Sequence, residues 1–189
     1  EWRGPVMLTH WGFSGPAILK LSAWGSRDLA AVDYHFTFKI SWLPEMNEQQ
    51  VREFLIAEKT NTPKQQIASH ARFGLPIRLW KAFAEKAEMT ETLRWSEATN
   101  KVLNRLAELL TNSQFEVIGK STYKEEFVTC GGIALSDVHP DTLESKKVPG
   151  LFFAGEVLDV DGITGGFNFQ NAWTTGFVAG KEIGRISSL

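Results

Sequence analysis

The 189 residues suffice for one domain or two small ones, and 43% hydrophobic with 22% charged residues is ordinary for a globular chain with a buried core. A formal net charge of −2 gives no global field to draw nucleic acid or an anionic membrane, so neither is expected as a partner. No apolar run reaches the roughly 18 residues of a membrane span. The single cysteine, Cys130, excludes an internal disulfide and fits a reducing, cytoplasmic compartment.

In chain order, Val6 to Thr9 is a short strand candidate. Ser14 is a candidate helix N-cap, with Pro16 tolerated in the first turn. Ala17, Ile18, Leu21 and Trp24 then keep helical spacing up to Gly25. From Val32 to Trp42 apolar and polar residues alternate strictly, which predicts a strand with one buried face in an antiparallel sheet, stopped by Pro44. Asn47 to Asn112 reads as helical. One helix opens at Asn47-Glu48-Gln49-Gln50 and carries Val51, Phe54 and Leu55. A short helix is expected from Gln65 to Phe73. Another starts at Pro76 with Ile77, Trp80, Phe83 and Ala84 on one side. A last, capped by Ser96, has a stripe of Val102, Leu103, Leu106, Leu109 and Leu110. Strands are then expected at Phe115 to Ile118 and Glu126 to Thr129, followed by Gly131-Gly132.

The C-terminal stretch holds the chemistry. Leu151 to Ala154 is a short apolar run bounded by glycines, the pattern of a strand covered on both faces. Gly155-Glu156 then puts a carboxylate at the strand's C-terminal edge, where ligands sit in open α/β sheets. Gly165-Gly166 has no Cβ to block close approach of a ligand, and it leads into a helix. The helix N-terminus around Phe167 to Gln170 presents backbone N–H groups and a partial positive charge, suited to an anion or a carbonyl that gains negative charge during reaction. Ala172, Gly176, Gly180 and Gly184 recur on one side of this helix. Helical glycine costs about 1 kcal/mol against alanine, so the stripe predicts tight packing on another backbone. Phe169, Trp173 and Phe177 form a second stripe. Spacing alone is equally satisfied by a plain strand–turn–helix packing unit.

Asp159 and Asp161 read as solvated or loop-capping residues, Gly132 as a bulge or a close approach, and Cys130 as a buried, inert thiol. The four histidines are scattered without metal-ligand spacing, so no metal site is expected.

Thr129-Cys130-Gly131-Gly132-Ile133, the run Gly155-Glu156-Val157-Leu158-Asp159-Val160-Asp161-Gly162 and Gly165-Gly166-Phe167-Asn168-Phe169-Gln170 closely resemble the C-terminal part of the HI0933-like flavoproteins, the BaiN/RdsA family of FAD-dependent oxidoreductases. Leu8 to Ala17 is similar to the start of that family's insert domain. The resemblance implies an α/β plus α+β architecture. Residues 1–115 would be an insert domain of antiparallel strands and a helical block, and residues 116–189 the C-terminal part of an incomplete, Rossmann-like FAD-binding domain. The family's Gly-x-Gly-x-x-Gly fingerprint does not occur in these residues. The chain therefore reads as the C-terminal portion of a longer flavoprotein whose N-terminal Rossmann segment is its partner, and by itself is expected to be inactive. By resemblance, Gly155, Glu156, Gly165, Gly166, Phe167, Asn168, Phe169 and Gly132 would line FAD, with Glu156 accepting from its hydroxyls. NAD(P)H is an expected donor, and reduction of an activated carbon–carbon double bond the expected reaction. No catalytic residue or substrate is identified. The alternative is a non-catalytic folded module that binds a partner and no FAD.

Overall fold

The computed structural model describes residues 1–120, 129–163 and 165–187. Two compact units emerge: Glu1–His35 together with Ile118–Leu189, and Phe36–Val117. Residues 1–35 thus cluster with the C-terminal segment.

The first unit opens with a small antiparallel pair, β1 (Met7–Leu8) and β2 (Phe13–Ser14), with Met7 opposite Ser14 and Leu8 opposite Phe13. Thr9 Oγ1 accepts from the N–H groups of Trp11 and Gly12 and closes the turn. Helix α1 (Pro16–Trp24) has Pro16 in its first turn as expected, but its N-cap is Gly15. Ser14 is taken up by β2 and caps nothing. Gly15 has φ +98°, and a Cβ there would stand 3.0 Å from Pro5 O, so glycine is required. Helix α2 (Ser26–Ala31) follows at once. Its apolar content, Leu29 and two alanines, is too sparse to give a periodic signal. Asp33 and Tyr34 then adopt φ +49° and +57°. The expected long strand is thereby cut to β3 (His35–Ile40), in which exposed and half-buried residues still alternate.

The second unit holds the larger core. Helix α3 (Glu48–Asn61) starts with a reciprocal cap, Asn47 Oδ1 accepting from Gln50 N–H and Gln50 Oε1 accepting from Asn47 N–H, each at 2.9 Å. Helices α4 (Ile77–Lys86) and α5 (Asn100–Thr111) follow. Val51, Leu55, Trp80, Leu103, Leu106 and Leu110 are fully buried among them. Residues 65–73 are not helical: Gln66 forms an isolated bridge with Arg94, and Ile67 N–H donates to Leu93 O at 3.0 Å. Ser96 lies in a 3₁₀ turn, and the cap of α5 is Thr99, whose Oγ1 accepts from Val102 N–H. Strand β4 (Ser113–Ile118) pairs with β3. Trp42 N–H donates to Leu110 O, and the Phe38 and Phe115 rings lie 5.7 Å apart. Residue numbers rise on one side as they fall on the other, so these segments run antiparallel.

In the C-terminal part of the first unit, Leu151 to Ala154 is not a ladder strand covered on both faces. Phe152 makes one isolated bridge with Glu144, Leu151 is exposed, and Phe153 N–H donates to Leu143 O. The expected strand at Glu126 to Thr129 lies, but for Thr129, outside the described residues. Val138, Leu143, Leu158 and Ala179 form a small core, with Ala179 contributed by the last helix, α6 (Phe167–Ser187). Among the described residues no helix is long and apolar enough to cross a membrane.

Candidate functional site

The site residues read from the sequence converge on α6 and the loops packed against its first half. Gly155–Val157 forms a 3₁₀ turn. Gly155, at φ +76°, donates its N–H to Thr175 Oγ1 at 2.8 Å, and a Cβ there would touch the Ala172 Cβ at 3.7 Å. The turn thus lies against Ala172 and Thr175 of α6. Glu156 is exposed and its Oε1 accepts from Thr129 N–H at 2.9 Å.

Gly132 (φ +151°) serves a contact within the protein. A Cβ on it would stand 2.5 Å from Val157 O. Beside it, Ile133 N–H donates to Val157 O and Asp159 N–H to Ile133 O, at 2.8 and 2.9 Å. The loop 129–133 is therefore joined to 157–159 backbone to backbone.

Asp159 and Asp161 have a partner that the sequence did not announce. Arg27, on α2, directs Nη2 to Asp159 Oδ1 and, at 3.3 Å, to Asp161 Oδ2. Asp161 also accepts from Gly131 N–H and from the Cys130 thiol, both at 3.1 Å. Cys130 is exposed, which corrects the expectation of a buried thiol. The thiol's hydrogen bond is the foremost cause holding the Asp161 carboxyl below the usual carboxylate range, with Gly131 N–H and Arg27 adding to it against burial. The Arg27 guanidinium is pushed up in turn, first by Cys130, then by Asp161 and Asp159. Trp24, Arg27, Asp28, Asp161 and Ile163 line an open cleft of about 360 Å³.

Asn168, in the first turn of α6, uses its side chain on the loop. Its Oδ1 accepts from Gly162 N–H at 3.0 Å and its Nδ2 donates to Gly162 O at 3.1 Å. Gly165 and Gly166 have φ +132° and +107°, and a Cβ on either would meet nothing within 4 Å. The first amides of any helix lack an acceptor within it, and the first turn of α6 has no acidic residue. Phe167 and Phe169 are exposed beside the glycines, and Phe169 stacks on Trp173 with ring centroids 6.2 Å apart. The expected tight packing on the glycine stripe is absent among the described residues: a Cβ on Gly176, Gly180 or Gly184 would meet nothing within 4 Å. Among these residues no group of three or more His, Cys, Asp or Glu is placed to hold a metal ion.

Residues 1–128 match the HI0933-like protein barrel and H2TH domain. The chain is 32% identical over 181 residues to a ribosomal RNA dihydrouridine synthase of Haemophilus influenzae, and 28% over 183 residues to that of Escherichia coli. It is 29% identical over 184 residues to a 3-dehydro-bile acid delta(4,6)-reductase of Clostridium scindens. These similarities take in 95% to 96% of the chain but only 42% to 44% of each relative, so the chain spans less than half the length of the curated relatives it matches. With the domain match extending over more than half of its residues, the chain belongs to the HI0933-like family.

Proposed function

We propose that this chain is the C-terminal portion of an FAD-dependent oxidoreductase that reduces a carbon–carbon double bond, and that it supplies the flavin-ring side of the cofactor site. The observation that carries the reading is the glycine pair Gly165-Gly166, held at positive φ in open space immediately before a helix of 21 residues. The residues present fit a flat ring with an electron-rich edge: no side chain projects from the pair, and the amides of Phe167, Asn168 and Phe169 face no acidic neighbour in the first turn. Bound there, FAD supplies the hydride chemistry. The chain's own part is to hold hydrogen-bond donors at the ring's edge and to accept from a cofactor hydroxyl through Glu156, whose Oε2 has no partner among the described residues.

The names of the relatives share one operation. A dihydrouridine synthase and a delta(4,6)-reductase both act at a ring double bond. NAD(P)H is the proposed donor and the cytoplasm the proposed compartment. The preceding segment of the longer protein would complete a Rossmann-like domain. We assign its docking surface to the outer face of α6, where Trp173 and Phe177 are 70% and 72% exposed and Gly176 and Gly180 lie open. That same exposed face favours the second reading, a module that binds a protein partner and no flavin.

The full-length protein separates the two. Purified with FAD it is expected to be yellow, and Glu156→Ala is expected to weaken FAD binding about tenfold, the loss of one charge-assisted hydrogen bond. A full-length protein that stays colourless in excess FAD overturns the oxidoreductase reading. Unchanged affinity in Glu156→Ala removes that residue from the site.

A further inference from the structure

We propose that Arg27 is a positioning residue of the α6 site. Its guanidinium holds Asp159 and Asp161, and through Gly162 and Asn168 it fixes how the chain enters α6. The proposal rests on the flavin reading for its functional consequence, though not for the contact itself.

From Asp159 to Gly166 the chain has few backbone hydrogen bonds of its own: Asp159 N–H reaches Ile133 O, Val160 N–H reaches Leu158 O, and Gln170 N–H closes on Gly166 O. Three glycines in or beside this stretch, Gly162, Gly165 and Gly166, lower its stiffness further. A loop of that composition needs side-chain ties to hold one conformation. Two exist. Asn168 grips both polar groups of Gly162, so the first turn of α6 and the loop move together. Arg27 Nη2 reaches carboxylates on either side of Val160, so one charged nitrogen ties both ends of the stretch just before Gly162. Asp161 is tied from a second direction by Gly131 N–H and the Cys130 thiol, which belong to the loop that Gly132 joins to Val157.

The result is a continuous chain of contacts from α2 to the start of α6, and the guanidinium is the one cation in it. Removing that cation leaves two carboxylates facing each other without neutralisation, which repel and open the loop. Among the described residues the hydrogen bonds of Arg27 go to Asp159 and Asp161 and not to the glycine pair or α6, so its effect on a bound group would pass through the loop.

Two measurements test this. Amide hydrogen exchange read on residues 159–168 needs no cofactor. In Arg27→Gln, exchange over this stretch is expected to quicken about tenfold or more, while α3 and α5 stay as slow as in the parent; Arg27→Lys, which keeps the charge on a shorter, differently shaped donor, is expected to restore part of the protection. In the full-length protein with FAD, Arg27→Gln is expected to weaken binding several-fold and to blur the fine structure of the flavin's visible band, again with partial rescue by lysine. Exchange that is unchanged in Arg27→Gln overturns the proposal outright. Quickened exchange with unaltered FAD affinity and spectrum overturns the positioning role. A parent protein that binds no FAD, with exchange quickened as described, refutes the flavin reading and leaves the clamp standing.

Discussion

At the residue scale the sharpest electrostatic feature lies away from the candidate site. Glu58 is 8% exposed. Arg72 reaches its Oε2 through Nε at 2.6 Å, donates to Gln65 Oε1 and His70 O, and lies over the Trp95 ring at 5.5 Å. Removing one partner of such a pair strands a charge in the interior. Arg72→Met is therefore expected to lower unfolding free energy by about 3–5 kcal/mol, and adding Glu58→Gln to recover much of that loss. Urea denaturation of the three proteins checks both; a single variant within about 0.5 kcal/mol of the parent would show the pair to be well solvated. At this scale the sequence was legible where backbone geometry dictates the residue. Gly165 and Gly166, singled out for the absence of a Cβ, sit at positive φ, as does Gly155. Arg27 was not legible. It meets Asp159 across 132 positions, and a lone arginine in a short polar helix carries no pattern that names its partner. Cys130 misled because cysteine is commonly buried, while here it is exposed and its thiol donates to Asp161.

At the scale of elements, period decided what could be read. α3, α4 and α5 each bury one stripe, and α3 starts after its Asn47 cap and α4 after Pro76, as the sequence indicates. Asn47→Ala removes the side-chain acceptor for Gln50 N–H and unseats the reciprocal bond, so a loss of about 1 kcal/mol is expected, measurable as a lowered urea midpoint with unchanged slope. No change in midpoint would mean that water satisfies the end of α3 equally well. Segments held by isolated bridges escaped the reading. Gln66 pairs with Arg94 and Glu144 with Phe152. One bridge imposes no alternation over several residues, so residues 65–73 kept a helix-like apolar spacing, and Leu151 to Ala154 a strand-like one, with no matching element.

At the scale of the molecule the two units differ in how their cores are assembled. The large core, from Leu43 to Leu110, is drawn wholly from Phe36–Val117. This segment, expressed alone, is expected to fold and to unfold in urea as a single cooperative transition. A broad, non-cooperative profile would show that it depends on the remainder of the chain. The other unit is stitched from residues far apart in sequence around a core of Val138, Leu143, Leu158 and Ala179, and it leaves Trp24, Trp173 and Phe177 largely exposed. An apolar surface of that kind is the whole-molecule counterpart of the docking proposed for α6.

The pairing of β3 with β4 bears on the order of folding. Bringing Arg27 to Asp159 in an unstructured chain means closing a very long loop, with the entropy loss that such closure carries. Once Phe36–Val117 has paired its two terminal strands, that segment no longer counts towards the separation, and what is left between Arg27 and Asp159 is the short flank 27–35 and the longer flank 118–159. The paired stem thereby shortens the loop that the Arg27 contact must close, so folding of the continuous segment first lowers the entropy cost of assembling the discontinuous one.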